Sequence, residues 1–203
     1  MLNTVLEAPV VTEPKLAPPR MLHHTAYVTH DVEATVKFYT EILGMKLVSA
    51  VVDDSIPSTG DPWPYLHLFF QMQDGSTVAF FESIGLPKPS PDSHPAYGIF
   101  NHLAMDVGTR EEVDRWAKRL AAHGVEMVGP TDHGIIYSIY FKDPNGIRLE
   151  LTATTDPNWV NHGDQAAADV EAWAQAKAMA AAGGDPDAVL NWVKEHRGKH
   201  KHD

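Results

Sequence analysis

The sequence predicts an α+β protein built from two successive βαβββ modules, residues 21–84 and 99–155. Three observations predict it. A strand-period run, a helix-period run and three more strand-period runs occur in that order twice. A proline-rich stretch with Pro87, Pro89, Pro91 and Pro95 separates the two sets. Each set opens on a strand carrying a histidine (His24, His102) and closes on a strand carrying a glutamate (Glu82, Glu150).

Residues 1–20 hold Pro9, Pro14, Pro18 and Pro19 without periodicity and read as an extended arm. The run 22–28 alternates as a strand. Asp31 caps a helix over 32–43 that lines Val32, Val36, Tyr39 and Leu43 along one face, and Gly44 ends it. Strands follow at 46–52, 65–72 and 76–83, the last two joined through Asp74-Gly75, a hairpin signal. After the linker, 101–107 is a strand. Thr109 and Glu112 form a capping box for a helix over 111–123, which buries Val113, Trp116 and Leu120 before Gly124. Strands at 125–130, 135–141 and 147–153 complete the second module, the last pair turning through Asp143-Pro144-Asn145-Gly146. Residues 156–203 form a helical extension. An Ala-rich helix over 164–182 stops at Gly183-Gly184, and Asp185 caps a shorter one that starts with Pro186. Val170, Trp173 and Leu190 could pack these helices on the body or on a second subunit. His196, His200 and His202 fall in a polar tail read as solvated.

Composition narrows the function. Hydrophobic residues make up 43% and charged residues 21%, as in ordinary globular chains. No apolar run reaches the roughly 18–20 residues of a membrane span, and Met1 to Arg20 lacks the basic start and apolar stretch of a signal peptide. A cytoplasmic location with no membrane partner is therefore expected. A net charge of -11 disfavours nucleic acid as a partner. There is no cysteine, which removes disulfides, thiolate ligands and a Cys nucleophile.

The chemistry concentrates on the repeated pairs. If the two sheets curl toward each other, His24, Glu82, His102 and Glu150 surround one point. Imidazole and carboxylate together suit one divalent ion of the Fe, Mn, Co, Ni or Zn group. Glu82 and Glu150 sit among large apolar residues, where an unpaired carboxylate is costly, so each needs a partner. His23 is expected to leave the opposite face of the strand from His24 and not to be a ligand. His67 is either a cavity-facing or a structural histidine. Trp63, Tyr65, Phe69, Phe81 and Tyr137 read as the wall of an apolar pocket or as core.

The stretches "HHTAYVTHDVEATVKFYTEILGMKL", "VAFFES", "NHLAMDV" and "YFKDPNGIRLEL" resemble the vicinal oxygen chelate superfamily, over about residues 21–155. The superfamily contains glyoxalase I, methylmalonyl-CoA epimerase, bleomycin and fosfomycin resistance proteins, and type I extradiol dioxygenases. The resemblance implies a metal enzyme acting on a small molecule, with the ligand positions on His24, Glu82, His102 and Glu150. It also implies that a homodimer, sometimes with modules exchanged, is among the expected assemblies. His133, Tyr140, the Asp-Pro-Asn-Gly turn and Glu150 are similar to the C-terminal pattern of extradiol dioxygenases, which implies Fe(II), a catechol-like substrate, and proton-transfer and positioning roles for His133 and Tyr140. The second reading is a glyoxalase-like isomerase or lyase using Ni, Co, Mn or Zn, with Glu82 as fourth ligand. Glutathione is not expected as its substrate, because Val28 and Leu86 stand where that family grips it. A binding protein that only sequesters a ligand is a third reading, disfavoured because all four metal positions are filled.

Overall fold

The computed structural model describes residues 17–88, 96–182, 184–185 and 187–196. The arm up to residue 16, most of the proline-rich linker, and His200 and His202 of the tail lie outside the described residues, as does the side chain of His196.

The first module comprises β1 (His24–Val28), α1 (Val32–Lys37), β2 (Lys46–Asp53), β3 (Tyr65–Gln71) and β4 (Thr77–Ser83). The second comprises β5 (Leu103–Asp106), α3 (Arg110–Ala122), β6 (Met127–Asp132), β7 (Ile136–Lys142) and β8 (Arg148–Thr154). Their four-stranded sheets have the same order, β1-β4-β3-β2 and β5-β8-β7-β6. In each the His-bearing end pairs parallel with the closing strand, and the other pairs are antiparallel. The predicted α+β βαβββ architecture is the one observed.

Local chemistry sets the ends. Asp31 Oδ1 accepts the Ala34 N–H at 2.9 Å, and Thr109 Oγ1 accepts that of Glu112 at 3.2 Å. Glu112 pairs with Arg115 in the next turn. Past Lys37 the first helix widens into a π-helical turn, Phe38–Ile42, which buries both Phe38 and Tyr39. A short helix α2 (Tyr97–Phe100) occupies the end of the expected linker. Strand β6 runs past Pro130 to Asp132, two residues beyond the predicted end. Proline is tolerated there because β6 is an edge strand and its register shifts between Val128 and Thr131.

Both modules share one hydrophobic core. Phe70, Val78 and Phe80 of the first sheet and Ile139, Phe141, Leu149 and Leu151 of the second belong to it, with Phe38, Tyr39, Val113 and Leu120 from the helices. The Phe38 and Phe141 rings meet with centroids 6.3 Å apart. Polar contacts reinforce the junction. Tyr39 donates to Asp143, Thr29 and Thr35 bond Asn145, and Arg119 donates to the Glu41 and Ile42 carbonyls. The helix-bearing faces of the two sheets therefore point inward to a common core. The opposite faces, which carry His24 and His102, point outward.

After a 3₁₀ turn (Pro157–Asn161), α4 (Gly163–Ala181) and α5 (Ala188–His196) pack against each other, Trp173 meeting Trp192 edge-on at 5.5 Å. Val170 and Leu190 remain 69% and 50% exposed. No helix among the described residues is long and apolar enough to cross a membrane.

Candidate metal centre

The second sheet assembles a compact polar cluster on its outward face. Parallel pairing sets Ala104 beside Glu150, and His102, just ahead of β5, reaches the same carboxylate. Tyr140 sits across from Glu150 on β7. His102 Nε2 lies 2.9 Å from Glu150 Oε2, and the Glu150 side chain is 2% exposed. His102 Nδ1 is 2.8 Å from the Phe100 carbonyl, which can only accept, so Nδ1 carries the proton and the Nε2 lone pair faces the carboxylate. Two acceptors at that separation need a cation between them, a proton or a metal ion. A histidine whose far nitrogen is fixed by a carbonyl is the usual metal-ligand arrangement, so the pair fits a divalent ion.

Tyr140 extends the cluster. Its hydroxyl donates to Glu150 Oε1 at 3.1 Å and lies 2.9 Å from His133 Nε2. With the phenol proton on the carboxylate side, His133 Nε2 must donate to Tyr140. The result is a chain of two hydrogen bonds from His133 to Glu150. Burial, and then the neighbouring Glu150 charge, raise the Tyr140 pKa, which keeps the hydroxyl a donor.

The first sheet places its residues differently. His24 lies on the outward face with His67, Phe69 and Phe81. Its ring centroid is 6.3 Å from His67 and 5.8 Å from Phe69. His67 stacks on Phe81 at 3.6 Å, and burial, followed by the nearby His24, lowers its pKa. Tyr65 meets Phe81 on this face at 5.2 Å, so these aromatics line the outward surface of the sheet. Trp63 is 41% exposed. Tyr137 lies elsewhere, bonded to Asp114 and under Arg110.

Two expectations need correction. Glu82 does not join His24. It pairs in register with Leu66, on the core-facing side, and accepts the Val32 N–H at 3.2 Å. The residue that matches Glu150 across the repeat is Ala79, because Thr77 pairs with His24 as Arg148 lies level with His102. His23 does not turn away. It precedes the strand, so alternation does not govern it, and its Nδ1 lies 2.8 Å from His24 Nδ1.

The four expected ligands therefore do not meet in one chain. His102 and Glu150 are together, with His133 and Tyr140 behind them. His24 stands on the other outward face, and Glu82 faces the core. Among the described residues, no three His, Asp or Glu side chains group closely enough to hold a metal ion. Arg148 was not singled out from the sequence. Its guanidinium lies 4.3 Å over the Tyr140 ring. The available signal was its place in "IRLEL", two residues before Glu150 and hence on the same face.

Comparison with known proteins gives consistent matches. The family model described as the Glyoxalase/Bleomycin resistance protein/Dioxygenase superfamily matches residues 21–151. Metapyrocatechase of Pseudomonas sp. strain CF600 is 30% identical over 68% of this chain, and a putative ring-cleaving dioxygenase, MhqA of Bacillus subtilis, is 27% identical over 65%. The match spans only 41% and 40% of those two proteins. A probable lactoylglutathione lyase of Vibrio parahaemolyticus is 26% identical over 63% of this chain and 86% of its own length. A glyoxalase/dioxygenase from Nostoc punctiforme superposes with a TM-score of 0.52 at 25% identity, covering 71% of this chain and 99% of that one.

Proposed function

The chain belongs to the glyoxalase/bleomycin resistance protein/dioxygenase superfamily, and from that membership and the site we propose that it is a metal-dependent enzyme that cleaves the ring of a catechol-like substrate with molecular oxygen. One observation carries the reading. The Tyr140 hydroxyl joins His133 to Glu150, and Glu150 in turn faces His102. A ring-cleaving site needs a proton-moving pair beside the metal ligands, and this cluster supplies one. The names of metapyrocatechase and the ring-cleaving relative add support.

His102 and Glu150 would hold the ion, with His24 as third ligand, the two-histidine, one-carboxylate set suited to Fe(II). Because the two outward faces lie on opposite sides of the shared core, we read the complete site as shared between two copies. His24 of one copy then faces His102 and Glu150 of the other. When bound, the metal supplies Lewis-acid activation of the substrate's adjacent oxygens and, as iron, the means to use oxygen. Tyr140 holds Glu150 in place and keeps its proton on Oη. His133, at the outer end of the chain, donates through Nε2 to Tyr140 and would take or return a proton through Nδ1. Phe100 fixes the tautomer of His102.

The second reading is a glyoxalase-like isomerase or lyase with Ni, Co, Mn or Zn. It is favoured by the lactoylglutathione lyase match, which runs nearly the full length of that protein. The core-facing position of Glu82 weighs against it.

The test is anaerobic purification, metal quantification and oxygen uptake with a panel of catechols. Bound iron with substrate-dependent uptake supports ring cleavage. Another metal with no uptake overturns it and directs assays to isomerase and lyase substrates.

A further inference from the structure

We propose that Arg148 is the anion-recognising end of the substrate site, so that the substrate carries a carboxylate or a similar charge close to the oxygens that meet His102 and Glu150. The proposal rests on the reaction centre proposed above and adds the charge of its substrate.

Four observations place it there. Arg148 precedes Glu150 by two residues on β8, so both side chains leave one face. Its neighbour across β7 is Lys142, a second cation on that face. Its guanidinium covers the Tyr140 ring at 4.3 Å, and Tyr140 is the residue bonded to Glu150. It also borders both cavities of this region. One, of about 390 Å³, it shares with His102 and Asn101; the other, of about 1120 Å³, it shares with Tyr140 and Lys142.

What Arg148 does not do is equally informative. Arg110 and Arg115 each pair with a carboxylate, Asp132 and Glu112, and Arg119 bonds two backbone carbonyls. Among the described residues Arg148 has no ion pair, and its buried Nε has no hydrogen-bond partner. An unmet buried N–H is costly and marks a place where a missing partner belongs. In a chain of net charge -11, carboxylates are not scarce, yet none is set against this guanidinium. The planar fork of an arginine matches a carboxylate in two parallel hydrogen bonds. The Tyr140 ring lies beneath the fork, a cation–π contact that favours this placement.

The experiment uses protein loaded with Zn(II), which binds without turnover. Calorimetric titration compares 2,3- and 3,4-dihydroxybenzoate with their neutral amides. At least one acid is expected to bind about tenfold or more tightly than its amide, the worth of one charge-assisted contact. In Arg148→Gln that ratio should fall to within about threefold of one, and Arg148→Lys should keep part of it. The proposal is overturned by equal binding of acid and amide in the wild type, by no measurable binding of either acid, or by a preference that survives in Arg148→Gln. A guanidinium already matched by a carboxylate of a second copy would give the first of these. The wild-type ratio decides even if a variant does not fold. Oxygen uptake with the iron-loaded protein separates the two proposals. A preference for acids without uptake overturns ring cleavage and keeps the anion site, and uptake without a preference does the reverse.

Discussion

Asn145→Ala should cost about 2–3 kcal/mol of stability, and the structure shows why. Asn145 Nδ2 donates to Thr35 Oγ1 at 3.1 Å, and Thr29 Oγ1 donates back to Asn145 Oδ1 at 2.8 Å. Thr29 and Thr35 lie 2.8 Å apart, and with the other protons assigned Thr35 is the donor. The three residues form a closed ring of hydrogen bonds, and both threonines are fully buried. Nδ2 also reaches Asp143 Oδ2 at 3.1 Å. Alanine removes three of these four bonds and leaves the Thr29 proton without an acceptor. At about 1 kcal/mol net per bond, the loss is about 2–3 kcal/mol. With a urea slope of about 2 kcal/mol/M, the midpoint should fall by roughly 1–1.5 M. Circular dichroism across a urea series, at one protein concentration, measures it. Asn145→Asp should be at least as damaging near neutral pH, since it sets a second carboxylate against Asp143. A midpoint for Asn145→Ala within about 0.2 M of wild type, at most about a fifth of that slope-scaled loss, would refute the ring as a source of stability.

Tyr140→Phe breaks the link between His133 and Glu150, and turnover should fall about 10²-fold with metal content unchanged; turnover within a few-fold of wild type removes the relay from the mechanism. Glu82→Gln should retain full metal stoichiometry by elemental analysis, whereas Glu150→Gln should lose it; a metal-free Glu82→Gln would restore Glu82 to the ligand set. Burial raises the Asp143 pKa despite its hydrogen bonds to Asn145, Ile147 and Tyr39. The folded state therefore holds this proton more tightly than the unfolded chain. The stability from it is complete below the ordinary carboxylate range and is lost as pH rises through the elevated folded pKa. Urea midpoints for wild type and Asp143→Asn across that range should show the wild type losing ground relative to the variant as pH rises; a gap moving the other way contradicts the assignment.

The sequence carried the element order because turns and caps are local. Asp31, Gly44, Asp74-Gly75 and Gly124 each act within a few residues. The contact of His102 with Glu150 was legible for a related reason, since "RLELT" sets Glu150 among apolar residues, where a carboxylate needs a partner. Glu82 was misread because "VAFFE" is apolar on both faces. Ala79 and Phe80 are both fully buried, so alternation could not say which side Glu82 takes. Only the pairing of His24 with Thr77 settles it. The direction in which each sheet turns its histidine was also beyond the sequence. It depends on which faces share a core, a matter of long-range contacts such as Phe38 with Phe141.

That back-to-back arrangement has a genetic consequence. If two copies share each site, a subunit damaged at His24 and one damaged at Glu150 can rescue each other. In a mixed pair, one site gathers both lesions, and the other is built wholly from intact parts. Two null alleles expressed in one cell would then restore function that neither supplies alone. With a site contained in one chain, no mixture of the two could do so.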